Sequence, residues 1–290
     1  PNPKRVAIIG GGECATLREV LKHNTVEKVV MIEIDPGVIE VSKYALPMWN
    51  DCSHFEGSSR YCMDDPRAEI HNDDAFGWFI NRFFANNNTD EESLFDIIIM
   101  DALDPQNVVE FAEALYGDKS FLAALYNALR LDGILITQVG NAPYKDDPPE
   151  QMTADSNRIV YEQSLTRQGF TSIVDYSEGH TGFEEPWYFY AAFKDLSTRA
   201  NWMANEAEIN LKIRQRAIRT VDGSSPFEFF DGATMVNYQL PSQASVDLFC
   251  RRQPIPAGCD IRSHGFNPET VNFSEEFFSV TTSTAGLHAG

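Results

Sequence analysis

The chain has 290 residues, 43% hydrophobic and 23% charged, with a formal net charge of −20. That suffices for one large domain, or a domain with an appendage, around a sizeable core. The longest apolar runs are strand-sized, which argues against a membrane-spanning helix. The acidity argues against nucleic acid, whose phosphates would be repelled. The acidity has two readings: solubility or a salty habitat, and attraction of a polycationic substrate.

The chain begins at Pro1 and enters an apolar run within five residues, which suggests a piece of a longer protein. Val6 to Ile9 reads as a strand buried on both faces. Gly10, Gly11 and Gly12 follow and permit a tight turn against which a flat ligand can lie. Leu17, Val20 and Leu21 then recur at helical spacing, with Arg18, Glu19, Lys22 and His23 on the other faces. A second strand, Val29 to Ile32, ends in Glu33 and Asp35. An acid at that place accepts hydrogen bonds from ribose hydroxyls, so the unit is expected to hold an adenosine-containing ligand.

Pro36 to about Tyr44 reads as a helix opened by proline. Asn50 to Asp65 reads as a loop, and Ala68 to Asn72 as a third strand followed by Asp73 and Asp74. Phe76, Phe79, Ile80 and Phe83 are helix-spaced. Phe95 to Met100 is the most apolar strand and runs into Asp101-Ala102-Leu103-Asp104-Pro105. A helix from Ser120 to Leu129 is expected to stop at Asp132-Gly133, before a fifth strand from Ile134 to Val139. A helix from about Ser156 to Gln168 precedes two strands, Thr171 to Tyr176 and Trp187 to Phe193.

Alternating strands and helices predict an α/β fold, a doubly wound mostly parallel sheet with an antiparallel ending. Residues 1–195 would form this domain, and 196–290 an irregular C-terminal extension, helical then turn-rich, partly packed on it. In the extension, Trp202 to Ile218 looks helical and Phe227 to Leu240 contains a possible strand.

Glu33, Asp35, Asp74, Asp101 and Asp104 all fall at predicted strand ends, where ligands bind in such sheets. Acids gathered at one rim are costly unless cations or ligand hydroxyls meet them. Asp101 and Asp104 could hold an ammonium and keep a neighbouring amine unprotonated as it attacks. An Asx-turn or helix-cap pair is the plainer reading. Asp74 could meet an adenine amino group, cap the next helix, or do both. Glu13 could reach a cationic ligand or answer the helix dipole. His71 and His180 read as packed or exposed rather than catalytic.

The five cysteines lack zinc spacing, and no metal is expected. Cys52/Cys62 and Cys250/Cys259 could each close a small disulfide loop or stay free, and Cys14 reads as a space filler. Two glycosylation sequons, at Asn87 and Asn272, matter only on a secretory route. The expected compartment is the cytoplasm, with organellar and secretory routes open.

The motifs IIGGGECATLREVLKH, VEKVVMIEIDPGVIEVSK, DDPRAEIHNDDAF, FDIIIMDALDP and ITQ together resemble the polyamine aminopropyltransferases, the spermidine, spermine and thermospermine synthases. The similarity covers about Asn2 to Lys194, with an echo at Phe229 to Pro241. It implies the fold of S-adenosylmethionine-dependent methyltransferases, usually dimeric. It also implies transfer of an aminopropyl group from decarboxylated S-adenosylmethionine to a polyamine, releasing 5′-methylthioadenosine. The donor would be a co-substrate, with no cofactor beside it, and the partners a polyamine and a second copy of the chain.

By that resemblance Gly10, Gly11, Gly12 and Glu13 would line the nucleoside. Glu33 would hold the ribose and Asp74 the adenine. Asp101 would orient and help deprotonate the attacking amine. Asp104, Gln138 and Glu185 would bind the amine substrate. The turn Glu13-Cys14-Ala15 and the stretch Gly182-Phe183-Glu184-Glu185-Pro186-Trp187 look more like thermospermine synthases, which favours spermidine over putrescine as acceptor. The family's amino-terminal β domain is absent from these residues, which leaves open a catalytically silent domain of a larger protein. From the residues alone, an S-adenosylmethionine-dependent methyltransferase shares the nucleoside site. An NAD-dependent dehydrogenase would also fit Gly10-x-Gly12-x-x-Ala15 with Asp35 about 20 residues on.

Overall fold

The structure is a computed structural model that describes residues 2–86, 90–105, 110–142, 157–180, 182, 185–202 and 204–239. Seven strands form one sheet: β1 (Arg5–Gly10), β2 (Lys28–Glu33), β3 (Ala68–Asn72), β4 (Phe95–Asp101), β5 (Leu129–Asn141), β6 (Ser172–Glu178) and β7 (Trp187–Phe193). Their order across the sheet is β3-β2-β1-β4-β5-β7-β6. The β1–β2, β1–β4, β2–β3 and β4–β5 pairs are parallel, and β7 runs antiparallel between β5 and β6. The chain therefore has the α/β sheet with an antiparallel ending that the sequence predicts, and it is of the methyltransferase-like type.

Helices cover both faces: α1 (Ala15–Leu21), α2 (Pro36–Ala45), α3 (Ala75–Phe79), α4 (Glu110–Gly117), α5 (Lys119–Ala128), α6 (Asn157–Gln168), α7 (Leu196–Asn201), α8 (Glu206–Arg216) and α9 (Gly232–Gln239). One core side gathers Ala7, Ile9, Val30 and Ile32 with the aromatics of α3 and α5. The other gathers Val6, Ile8, Val29 and Met31 with Leu17 and Leu21. The alternation along β1 and β2 splits their side chains between two apolar layers, which is why both strands read as unbroken apolar runs.

Several starts are set by aspartates. Asp35 accepts from Gly37 N at 2.8 Å and Pro36 follows it. Asp118 accepts from Ser120 N and Phe121 N, each at 2.9 Å. Such caps satisfy backbone donors that a helix's first turn leaves open.

Four expectations are corrected. Asp132-Gly133 does not stop a helix: α5 ends at Ala128, and β5 already includes both residues. The register passes from Phe95↔Leu129 to Ile97↔Ile134, so the residues between are absorbed in a bulge. A Cβ on Gly133 would lie 2.9 Å from the Arg130 carbonyl oxygen, so the glycine serves that close turn. The end of α5 is met instead by Lys194 Nζ, which donates to the Tyr126 and Leu129 carbonyls at 2.9 and 2.8 Å.

The possible strand from Phe227 is helix α9, because Asp231 accepts from Thr234 N at 2.8 Å and starts a helical turn. Gly232 allows α9 to touch α8; a Cβ there would lie 2.2 Å from the Glu206 carbonyl oxygen. The single helix expected over Trp202 to Ile218 is two helices, α7 and α8, with Asn205 capping the second. The helix from Phe76 loosens into a π-type turn at Ile80–Ala85. Cys52 and Cys62 are joined as a disulfide inside the loop before β3. Cys250 and Cys259 lie outside the described residues, as do both sequon asparagines.

Candidate active site

The site is built at the carboxyl ends of β1, β2 and β4. Gly10 (φ +82°) and Gly11 (φ +73°) need the left-handed backbone region. A Cβ on Gly10 would lie 2.2 Å from the Asp101 carbonyl oxygen. A Cβ on Gly12 would lie 2.8 Å from Glu33 Cγ. The glycines thus let two acidic strand ends close on the turn, beyond the tight turn and the ligand contact read from the sequence. Cys14 is the only non-glycine residue with positive φ among the described residues (+72°), and it is buried.

Glu33 is 8% exposed. Its Oε2 accepts from Gly12 N at 3.1 Å and its Oε1 from Asp35 N at 2.8 Å. Each oxygen keeps a lone pair that can face a ligand hydroxyl. Asp35 itself is committed to α2 as its cap. Asp74 caps α3, accepting from Phe76 N and Gly77 N, each at 3.0 Å. It stays exposed at the same rim, two residues beyond the end of β3.

Asp101 ends β4, and its Oδ2 accepts from Thr16 Oγ1 at 2.5 Å. Burial raises its pKa, the Thr16 bond pulls it down and Glu33 pushes it up again. Glu13 is raised too, first by burial and then by Asp101. Among the described residues no Lys or Arg pairs with Glu13, Glu33, Asp101 or Asp104. The rim favours an incoming cation or a proton.

The loop from Asp101 to Asp104 is held at successive carbonyls. Gln138 Nε2 donates to the Ala102 carbonyl at 2.5 Å and to Asp104 Oδ1 at 2.8 Å. Gln138 Oε1 accepts from Trp187 Nε1 at 2.8 Å and Gly140 N at 3.1 Å. That uses both N–H groups and both lone pairs of its amide. Gln138 therefore positions Asp104. The Tyr116 hydroxyl donates to the Leu103 carbonyl, and burial keeps this phenol well above its ordinary pKa, so it remains a donor. Tyr116 packs edge-on against Tyr161, whose hydroxyl bonds Thr137 at 2.6 Å. Glu185 is exposed and accepts from Asn141 Nδ2 at 2.8 Å.

The structure thus brings Gly10, Gly11, Gly12, Glu13, Glu33 and Asp101 together, and joins Asp104 to Gln138. Glu185 and Asp74 are exposed, and their side chains bond Asn141 and the first turn of α3. His71 and His180 are 2.6 Å from Glu69 and Glu178, away from this cluster.

The spermine/spermidine synthase domain family matches residues 1–183. The chain belongs to that family. Polyamine aminopropyltransferase 1 of Hyperthermus butylicus is 46% identical over 142 residues, 49% of this chain and 43% of that protein. The polyamine aminopropyltransferase of Pyrobaculum arsenaticum is 43% identical over 187 residues, 63% of this chain and 59% of that protein. The chain spans about half the length of these curated relatives. Among solved structures, spermidine synthase from Thermotoga maritima superposes with a TM-score of 0.57 at 26% identity, over 83% of this chain and 66% of that one.

Within this site, sequence reasoning missed Thr16, which bonds Asp101, Tyr116, which bonds the Leu103 carbonyl, and Trp187, which bonds Gln138. Tyr116 lies on α4, a helix the sequence reading did not place. Its signal was the trio Ala112, Leu115 and Tyr116, buried at i, i+3 and i+4.

Proposed function

We propose that this chain is the nucleoside- and amine-binding part of a polyamine aminopropyltransferase. The observation that carries the reading is the rim itself: Glu13, Glu33, Asp101 and Asp104 stand together with no cation paired to them among the described residues, and Asp101 and Glu13 are raised in pKa. A sulfonium donor and a polyamine acceptor are the cations such a rim suits.

In this reading Gly10, Gly11 and Gly12 flank the nucleoside, Glu33 takes the ribose hydroxyls with its remaining lone pairs, and Asp74 takes the adenine amino group. Asp104, fixed by Gln138, and Glu185 hold amines of the acceptor. Asp101 is the base. An amine must lose its extra proton to have a lone pair. The neutral amine attacks the propyl carbon bonded to sulfur, and the C–S electron pair stays on sulfur, which becomes neutral. The extra proton that the amine gives up goes to Asp101 and then to solvent, and the new ammonium carries the charge that sulfur loses. The finer reading names decarboxylated S-adenosylmethionine as donor, spermidine ahead of putrescine as acceptor, and 5′-methylthioadenosine as product.

Incubation with decarboxylated or intact S-adenosylmethionine and a panel of polyamines, with products identified by mass, tests this. Methylthioadenosine formed only from the decarboxylated donor supports it, and the paired product names the acceptor. S-adenosylhomocysteine from the intact donor would replace it with methyl transfer. Donor binding without either product would make this a silent domain.

A further inference from the structure

We propose that Thr16 is a positioning residue for Asp101: its hydroxyl holds one carboxylate oxygen and leaves the other for the incoming amine. The role in turnover rests on the aminopropyl-transfer reading. The contact joins the first turn of α1 to the end of β4 across 85 positions of sequence, from Thr16 Oγ1 to Asp101 Oδ2 at 2.5 Å. The same Oδ2 faces the glycine turn, where a Cβ on Gly11 would lie 3.4 Å away. Oδ2 is therefore flanked by protein on both sides. Among the described residues nothing donates to Oδ1.

The groups that face Asp101 make this bond consequential. Glu13 stands on the glycine turn, Glu33 at the end of β2 and Tyr116, which also meets Asp104, on α4. Among the described residues, β1 meets Asp101 with Gly10, and the neutral Gln138 of β5 bonds the adjacent Ala102 carbonyl. None of these is a cation. Burial and Glu33 both favour the protonated acid, and Thr16 is the side chain that opposes them. A donor to the ionised form holds the carboxylate ready to take a proton. That proton leaves the amine nitrogen for Oδ1, and the lone pair it frees then bonds the propyl carbon as the C–S pair goes to sulfur.

The test compares Thr16→Val, which keeps the shape and removes the hydroxyl, with Thr16→Ser, which keeps the hydroxyl. In Thr16→Val the acid limb of kcat/KM should move to higher pH by about one unit, with kcat about tenfold lower below that limb. The KM for the nucleoside donor should stay within about twofold. Thr16→Ser should follow the parent protein in both. A second measurement needs no turnover: the Asp101 carboxyl carbon, labelled with carbon-13 and assigned by its loss in Asp101→Asn, is titrated by NMR. Its midpoint should rise in Thr16→Val and stay put in Thr16→Ser. An unmoved midpoint in Thr16→Val, or equal movement in both variants, overturns the proposal. If the parent protein forms no aminopropyl product yet the midpoint moves as expected, the Thr16–Asp101 assignment stands and the reaction assigned to the site falls.

Discussion

The two rims of the sheet carry acids on opposite terms. At the amino-terminal rim Asp96 accepts from Lys4 N and Arg5 N, each at 2.8 Å, and lies 3.4 Å from Arg130 Nε. Asp65 is buried, which pushes its pKa up, yet two bonds from Arg67 outweigh burial and the net direction is down. Lys28 holds Glu69 at 2.5 Å and lowers its pKa. At the carboxyl-terminal rim Asp101 and Glu13 are raised, and no cation answers them among the described residues. Identical side chains stabilise the fold at one end and strain it at the other. Strain of that kind persists where a ligand relieves it.

The sharpest way to break this comparison is to neutralise one acid at each rim. Asp101→Asn should lower transfer by about 10²–10⁴, the usual worth of a positioned general base. Nucleoside binding should persist, and the melting temperature should hold or rise because a buried charge is gone. A variant with full activity would remove Asp101 from the mechanism. Asp96→Ala should do the reverse. It strands two backbone N–H groups, a loss of about 1–3 kcal/mol in denaturant titration, while kcat and KM stay near the parent values. Loss of activity without loss of stability would mean that the rims do not divide the work as described.

The divide also explains what was legible in the sequence. Val6–Ile9, Val29–Ile32 and Phe95–Met100 announce themselves because both faces of these strands are buried, and the acids that follow them mark the rim. The helix of Tyr116 has a readable pattern, but the bond from its hydroxyl to Leu103 was illegible, because only tertiary structure brings the two together. Gln138 came from family resemblance as a substrate ligand. Its bonds to Ala102 and Asp104 depend on β4 and β5 being parallel neighbours, and its bond to Trp187 on β5 and β7 being antiparallel neighbours, pairings that no local pattern encodes. The run from Phe227 was misread because its aromatics mimic a strand. They pack instead on separate partners: Phe227 on His23, Phe229 on His180 and Phe230 on Tyr238.

Smaller effects sharpen the same contrast. Tyr116→Phe removes one neutral hydrogen bond to the loop between Asp101 and Asp104, worth about 1 kcal/mol. kcat should fall about fivefold at most, with nucleoside affinity unchanged. A drop confined to melting temperature would show that the loop does not need this anchor. Salt should weaken polyamine binding, since the Debye length shrinks from about 10 Å at 0.1 M to about 3 Å at 1 M. Affinity indifferent to ionic strength would argue against recognition by the acidic rim.

The smallest signal is a proton count. Asp101 and Glu13 are raised above their ordinary values in the free protein, so each takes up its proton at a higher pH than an ordinary carboxyl does. A bound cation favours their ionised forms and lowers both pKa values. Binding must therefore release protons there, and the affinity for polyamine must rise with pH through the same window. Calorimetry in two buffers of different ionisation enthalpy reads the number directly. The expected release grows as the pH falls and goes towards zero as the pH rises and both groups are already ionised. Asp101→Asn should remove most of it, whereas Asp96→Ala should leave it intact, because Asp96 lies at the other rim. Uptake of protons on binding would place the cation somewhere other than among these carboxylates.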